Sequence, residues 1–302
     1  MQCYGVKMYF TSPVHIGKQG IGMEGSDLII HSDTLYSVIF QTRVKIYGVE
    51  DEFPIKITSA FPFVDDVYYL PKPGIRPPGF DKSEIASEYI KEIKSASFIP
   101  LDIFEKWIHG ERFNFEALIK SQDVLRKNIN VNVRPRIAVD RLSGDTNLYF
   151  GGGTFFRKGR AGLYFLVQCD GRQWKVIKEI FNLLQEEGIG GEKSSGYGKF
   201  RAEFIEKFDL PSVDDGKYYV SLSLYYPSCP EELNGAPVSY QLIQRSGWSI
   251  IEGEHVLQKK VLMFAEGSVF YKKVEGKIVD VSPVRSAHPV YKYGKAFLVK
   301  AR

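Results

Sequence analysis

Ala161-Gly162-Leu163-Tyr164-Phe165-Leu166-Val167-Gln168, then Arg172 to Glu187, then Gly188-Ile189-Gly190-Gly191-Glu192-Lys193-Ser194-Ser195-Gly196-Tyr197-Gly198-Lys199-Phe200 are the segments that decide the fold. The first is a nearly all-apolar run of strand length. The second carries Trp174, Ile177, Phe181 and Leu184 at spacings of three and four, one face of a helix, and Gly188 is its stop signal. The third is a glycine loop feeding another strand, Lys199 to Phe208. The order is strand, helix, glycine loop, strand.

The opening of the chain has the same grammar. From Gln2 to Thr11, Tyr4, Val6, Met8 and Phe10 share one parity, the period of a strand with one buried face. A loop from His15 to Asp27 holds Gly17, Gly20, Gly22 and Gly25. Ser32-Asp33-Thr34 then offers an N-cap ahead of Leu35, Val38, Ile39, Thr42 and Ile46 on one helical face. Residues 50–70 read as strand pieces, and Pro71 to Phe80 as a proline-rich surface loop. From Lys82 to about Asn128 the pattern is helical, with Ile85, Tyr89 and Ile93, then Phe104, Trp107 and Ile108, then Ala117, Leu118 and Leu125. Strands return after Val131, with Gly144-Asp145 as a turn and Gly151 to Gly153 as a flexible stretch.

Together these units predict an α+β fold with two ferredoxin-like (RRM-like) lobes. The first, residues 1–210, is a βαββαβ unit interrupted by a helical insertion at about 80–128 and a hairpin at about 131–160. The second, residues 211–302, is strand-rich, with Tyr218 to Tyr226, Tyr240 to Gln244, Lys260 to Phe264 and Val290 to Val299 as strands.

At 302 residues the chain has room for two such units, since single cores rarely grow past roughly 250–300 residues. With 44% apolar and 25% charged residues, wholesale disorder is excluded. A formal charge of only +4 provides no global field for polyanions, so a nucleic-acid site must be a local patch. Met1 to Phe10 lacks the plan of a signal peptide, and no run approaches the ~18 apolar residues of a membrane span. A cytoplasmic, metal-free protein is expected. Cys3, Cys169 and Cys229 lack zinc-ligand or disulfide spacing and read as buried structural thiols.

The glycine loop is the strongest chemical feature. Five glycines in eleven residues let a backbone approach another backbone closely, at an entropic cost. Lys193 adds a point charge, and the Ser194 and Ser195 hydroxyls can donate to phosphate oxygens. The loop leaves a helix C-terminus, where the dipole repels anions, so it is not a nucleotide-hydrolase phosphate loop. Backbone N–H groups and side chains must hold phosphate here, which suits an extended ribose-phosphate chain.

This stretch resembles the G-loop of the RAMP superfamily of CRISPR proteins. Two further segments narrow the likeness. His15-Ile16-Gly17 through Ser26-Asp27, with His31-Ser32-Asp33-Thr34-Leu35-Tyr36-Ser37, is similar to the opening of the fourth Csm subunit of type III-A effector complexes. Glu266-Gly267-Ser268, followed by His288-Pro289-Val290-Tyr291-Lys292-Tyr293-Gly294, is similar to that family's C-terminal lobe. The resemblance implies a non-catalytic cap without cofactor. It would grip the 5′ tag of the guide RNA, dock on the large polymerase subunit, contact the first backbone subunit, and meet target RNA only indirectly. The RNA-binding residues expected are Gly188, Gly190, Gly191, Lys193, Ser194, Ser195, Gly196 and Tyr197 of the G-loop, with His15, Lys18, His31 and Ser32 of the opening unit.

A second patch is Arg134-Pro135-Arg136-Ile137-Ala138-Val139-Asp140-Arg141, followed by Leu148-Tyr149-Phe150. Arg134, Arg136 and Arg141 suit phosphates, and the apolar tip suits wedging between bases, like the thumb of RAMP proteins. A solvated hairpin with Asp140 pairing one arginine is the plain alternative. His15 and His31 leave open a metal-independent guide-precursor endoribonuclease, since related RAMP nucleases use a histidine there. Glu24 and Asp27 read as loop-capping or subunit-contact carboxylates. Ser195 to Phe200 half-matches an RNA-recognition-motif signature, but Lys199 and Ala202 stand where aromatics are needed.

Overall fold

The computed structural model describes residues 2–17, 22, 24–48, 51–79, 87–251, 253–284, 286 and 289–302. The first lobe runs β1 (Gln2–Phe10), α1 (Ser32–Tyr47), β2 (Lys56–Ile57), β3 (Phe61–Val64), β4 (Val67–Pro71), α2 (Ser87–Ser95), β5 (Phe98–Pro100), α3 (Leu101–His109), α4 (Phe115–Asn128), β6 (Ile129–Val139), β7 (Thr146–Phe156), β8 (Ala161–Cys169), α5 (Gly171–Glu187) and β9 (Phe200–Ile205). The apolar run of β8 is buried along nearly its whole length, because it sits inside the sheet with neighbours on both edges and cover on both faces. The strand order is β5-β4-β3-β8-β1-β9, with antiparallel pairing of β8 to β1 and β3, and of β1 to β9.

One face of the sheet packs under α1 and α5. Val6, Met8, Leu35, Ile39, Leu163, Phe165, Val167, Ile177 and Phe181 form its core. α5 begins with a full capping box, in which Asp170 accepts from the Gln173 amide and Gln173 returns the bond to the Asp170 amide. α1 departs from expectation by one residue. His31 is its N-cap, and Ser32 already lies inside the helix with its hydroxyl turned away toward Leu224.

The opposite face of β1 was expected to be open, and it is not. Lys7 is only 7% exposed, its ammonium lying 4.4 Å from the Phe63 ring centroid and 5.0 Å from that of Tyr9. The cover comes from the insertion and the second lobe. α3 and α4 contribute Ile103, Phe104, Trp107, Ile108 and Leu118 to a core shared with Val220, Leu222, Val269, Phe297 and Val299. The insertion is not purely helical, since β5 pairs with β4 and lengthens the sheet. Lys82 and Ile85 lie outside the described residues.

The second lobe comprises β10 (Tyr218–Ser221), β11 (Pro237–Ser239), β12 (Leu242–Arg245), β13 (Trp248–Ile251), β14 (Glu254–Leu257), β15 (Val261–Phe264), β16 (Val269–Phe270), β17 (Gly276–Asp280), β18 (Tyr291–Lys295) and β19 (Leu298–Ala301). Four of these form a sheet in the order β11-β16-β10-β19; β12–β15, β13–β14 and β17–β18 are two-stranded. Among its described residues the only helical segment is the 3-10 turn Pro230–Leu233. The second lobe is thus strand-rich, as expected, but its described residues hold no α-helix of the kind a ferredoxin-like unit carries. Its cover is borrowed: α3 lies against β19, and α1 against β18, where Tyr293 stacks on Tyr36 with ring centroids 4.8 Å apart.

The thiols divide. Burial pushes those of Cys3 and Cys169 up to about 12, whereas Cys229 is exposed beside the 3-10 turn, against the expectation of three buried thiols. No described helix is long and apolar enough to cross a membrane.

Candidate nucleic-acid interface

The G-loop leaves α5 at Gly188 and folds onto the chain leaving β1. Gly191 donates its N–H to the His15 carbonyl at 2.8 Å, Gly198 to the Pro13 carbonyl at 2.7 Å, and Ile189 to the Gly198 carbonyl at 3.0 Å. These contacts show which backbone the glycines approach. A Cβ on Gly198 would stand 2.0 Å from the Ile189 carbonyl oxygen, and one on Gly190 would stand 2.6 Å from that of His15. The close approach is between two parts of this chain. Gly196 is the exception, with φ +83° and open space around it.

What the folded loop presents to solvent is Lys193, Ser194, Ser195 and Gly196, all exposed, with Lys193–Ser195 coiled into one 3-10 turn. The amides of Lys193 and Ser194 have no acceptor among the described residues. Gly188 and Tyr197, expected as RNA contacts, are buried instead. Tyr197 is a plug: Gly153 lies against its ring, and the Arg136 guanidinium sits 4.8 Å above it. Arg136 also donates to Glu192 Oε2 at 2.8 Å, neutralising the one carboxylate within the loop.

The hairpin β6–β7 thus roots in the G-loop and projects from it. Its outer part is exposed, with Ile137 at 65%, Leu148 at 58% and Leu142 wholly open. Arg141 is exposed at the tip, and Arg134 lies over the Phe155 ring at 4.4 Å. Asp140 pairs no arginine among the described residues; its Oδ1 accepts the amides of Leu142 and Ser143 and closes the tip turn, and these bonds hold its carboxyl below the usual range.

His15 lies half-buried between loop and hairpin, with Nδ1 2.9 Å from the Gly152 carbonyl oxygen, to which it donates in that tautomer. Lys18 lies outside the described residues, as does His288. The sequence placed His31 and Ser32 on RNA, and the structure moves both into the junction between the lobes. Ser32 is fully buried and accepts from the Leu224 amide at 3.0 Å. His31 Nδ1 bonds Glu266 Oε1 at 2.8 Å, and its Nε2 is 3.7 Å from Asp27 Oδ2. Burial by itself lowers the His31 pKa, but the Glu266 carboxylate and the bond to Asp27 outweigh it and raise the ring to about 9.

Next to it Asp33, with no side-chain exposure, takes a bidentate bond from Arg245, 2.9 Å at each oxygen, and an ammonium bond from Lys292 at 3.1 Å. Burial pushes its carboxyl up, and these two cations more than reverse that, holding it well below the usual range. Glu266, itself buried, is lowered in turn by His31, and it also accepts from the Ser59 hydroxyl. Sequence reasoning had no means to find Arg245 as the partner of Asp33, 212 residues away.

Comparison with known proteins agrees with this layout. The family model described as the CRISPR Csm4 C-terminal domain matches residues 214–301. The Csm4 protein of Thermococcus onnurineus is 29% identical over 286 residues, covering 89% of this chain and 90% of that protein. Csm4 of Streptococcus thermophilus is 26% identical, over 92% and 93% of the two chains. A chain of the Csm3–Csm4 subcomplex of the type III-A CRISPR-Cas interference complex superposes with a TM-score of 0.67 at 18% identity, covering 100% of both chains. One from a Csm1–Csm4 cassette in complex with pppApA gives 0.66 at 23%, covering 100% of this chain and 98% of that one. Asp27, His31 and Asp33 from the first segment of the resemblance, and Glu266 and Lys292 from the second, meet in the charged junction, and the chain is similar to Csm4 proteins along nearly its whole length.

Proposed function

We propose that this chain is a non-catalytic, cytoplasmic RNA-binding subunit of a type III-A CRISPR interference complex, holding the 5′ tag of the guide RNA and bridging the large polymerase subunit to the backbone filament. The observation that carries the reading is the ledge formed where the G-loop meets the hairpin root. There Lys193, the Ser194 hydroxyl, the Ser195 hydroxyl (3.4 Å from Glu192 Oε2) and two amides without an acceptor among the described residues face solvent, while the loop's own carboxylate is tied to Arg136. Such a row of donors fits phosphates of an extended strand. The strand order β3-β8-β1-β9, with α1 and α5 on one face, is the arrangement of a ferredoxin-like unit and supports a RAMP-type platform. The hairpin, with Arg141 and its apolar outer residues, suits the guide–target duplex rather than the tag. Support for the two protein partners comes from the fold matches, which are to assemblies of Csm4 with Csm1 and with Csm3.

The absence of catalysis belongs to the same proposal, supported by histidines already engaged. His31 meets a carboxylate at each ring nitrogen, and His15 has Nδ1 on a carbonyl. Replacing Lys193, Ser194 and Ser195 by alanine should weaken binding of tag RNA and lower the salt slope by about one charge. Unchanged affinity and slope would place the grip elsewhere. Incubation with repeat RNA, with and without magnesium, should give no site-specific product; cleavage abolished by His15→Ala would install the guide-processing endoribonuclease instead.

A further inference from the structure

The junction between the lobes holds six ionisable side chains: His31, Asp27 and Asp33 from the first lobe, Arg245, Glu266 and Lys292 from the second. Asp33 has no side-chain exposure, Glu266 5%, Lys292 10%, Arg245 11% and His31 12%. Packing charges this deeply is a poor way to gain stability, since apolar side chains of similar volume do as well or better. What such groups provide is register: each bond is satisfied in only one relative placement of the two lobes.

The network does not end at the junction. Asp27, whose carboxylate faces His31 Nε2, donates its N–H to the Ile16 carbonyl at 2.8 Å and accepts from the Thr154 hydroxyl at 2.7 Å. Thr154 is bridged to Val14 by both backbone bonds, and Ser26 Oγ lies 3.0 Å from its hydroxyl. Val14 and Ile16 flank His15, whose carbonyl anchors Gly191 of the G-loop and whose ring anchors Gly152 of the hairpin. A chain of polar contacts therefore runs from Glu266 in the second lobe, through His31 and its 3.7 Å ion pair with Asp27, to both parts of the ledge.

We infer that His31 and Glu266 are positioning residues for the RNA ledge: their bond sets the loop at Asp27, and so couples the posture of the second lobe to the grip on RNA. The inference rests on the RNA-binding reading above. It makes docking on the second lobe and RNA binding at the first reciprocal, each strengthening the other through this contact.

The test uses the full chain, a fluorescent single-stranded RNA carrying the repeat-derived tag, and three variants: Glu266→Gln, His31→Gln and the double variant. Each single change removes one partner of the 2.8 Å pair and leaves the other's buried charge less fully compensated. Tag affinity is expected to drop roughly tenfold in each, and to recover to within about threefold in the double variant, where two neutral amides face each other. Hydrogen exchange should quicken at residues 14–17, 24–27 and 152–156 in the singles while α3 and β19 keep wild-type rates, which a general loss of stability does not produce. Singles that bind like wild type, or that quicken exchange uniformly without recovery in the double, overturn the inference. If wild-type protein binds no RNA, the proposed function falls by itself, and the exchange pattern alone decides the linkage.

Discussion

Gly196 and Gly198 sit two residues apart with nearly the same φ, +83° and +79°, yet one faces empty space and the other a carbonyl oxygen at 2.0 Å from where a Cβ would be. Alanine at Gly196 incurs only the left-handed backbone penalty, about 1 kcal/mol. Alanine at Gly198 must also force apart the two limbs of the G-loop, at Ile189 and Gly198, and about 3 kcal/mol or more is expected. Urea unfolding of the two variants checks the difference, and equal losses would contradict the packing described. The same pair shows where residue-level reading of the sequence stops. The density of glycines was visible, and it correctly signalled a close backbone approach. At Gly190 and Gly191 the approaching backbone is that of His15, a contact across some 175 residues that no local pattern encodes. Tyr197, expected on RNA as part of the G-loop, is buried for a related reason: Gly153 and Arg136, distant in sequence, cover its ring.

At the level of elements, α5, β8 and β1 were legible because each announces itself over its whole length by period or by continuous apolar character. The start of α1 was less so, since Ser32 and Asp33 have the chemistry of a cap but are recruited by partners in the second lobe. That recruitment has a pH signature. The ring of His31 titrates at about 9 in the fold against an ordinary 6.5, facing Glu266 and Asp27 with Arg245 close by. A raised pKa means that the bound proton stabilises the folded state; this contribution is whole below about pH 6.5 and is lost as pH climbs through 9. A loss on the order of 2–3 kcal/mol between those limits is expected in wild type, read as a falling midpoint of chemical unfolding. His31→Gln, with no ring to titrate, should be flatter over that window. Asp33 works in the other direction, its contribution present at neutral pH and lost only as pH falls through its depressed value.

For the molecule as a whole, the change to a strand-rich pattern after Pro211 was visible in the sequence, but the dependence of those strands on the preceding residues was not. A run of strands reads alike whether its cover lies nearby in the chain or a hundred residues earlier. Residues 211–302, expressed alone, should therefore lack cooperative unfolding and be cut rapidly by protease, because Val220, Leu222, Phe297 and Val299 find their cover on α3 and the first sheet. Adding residues 1–210 in trans should restore protection; a protected, cooperatively unfolding fragment would show a self-sufficient lobe. The borrowed cover also has a bearing on synthesis. Ribosomes deliver the first lobe first, and with it the mould on which the later strands are cast, so each strand of the second lobe meets a finished wall as it emerges. A circular permutant that sends residues 211–302 out ahead of the mould would leave those strands naked during translation, and aggregation in the cell, rather than any fault in the final fold, would be its fate.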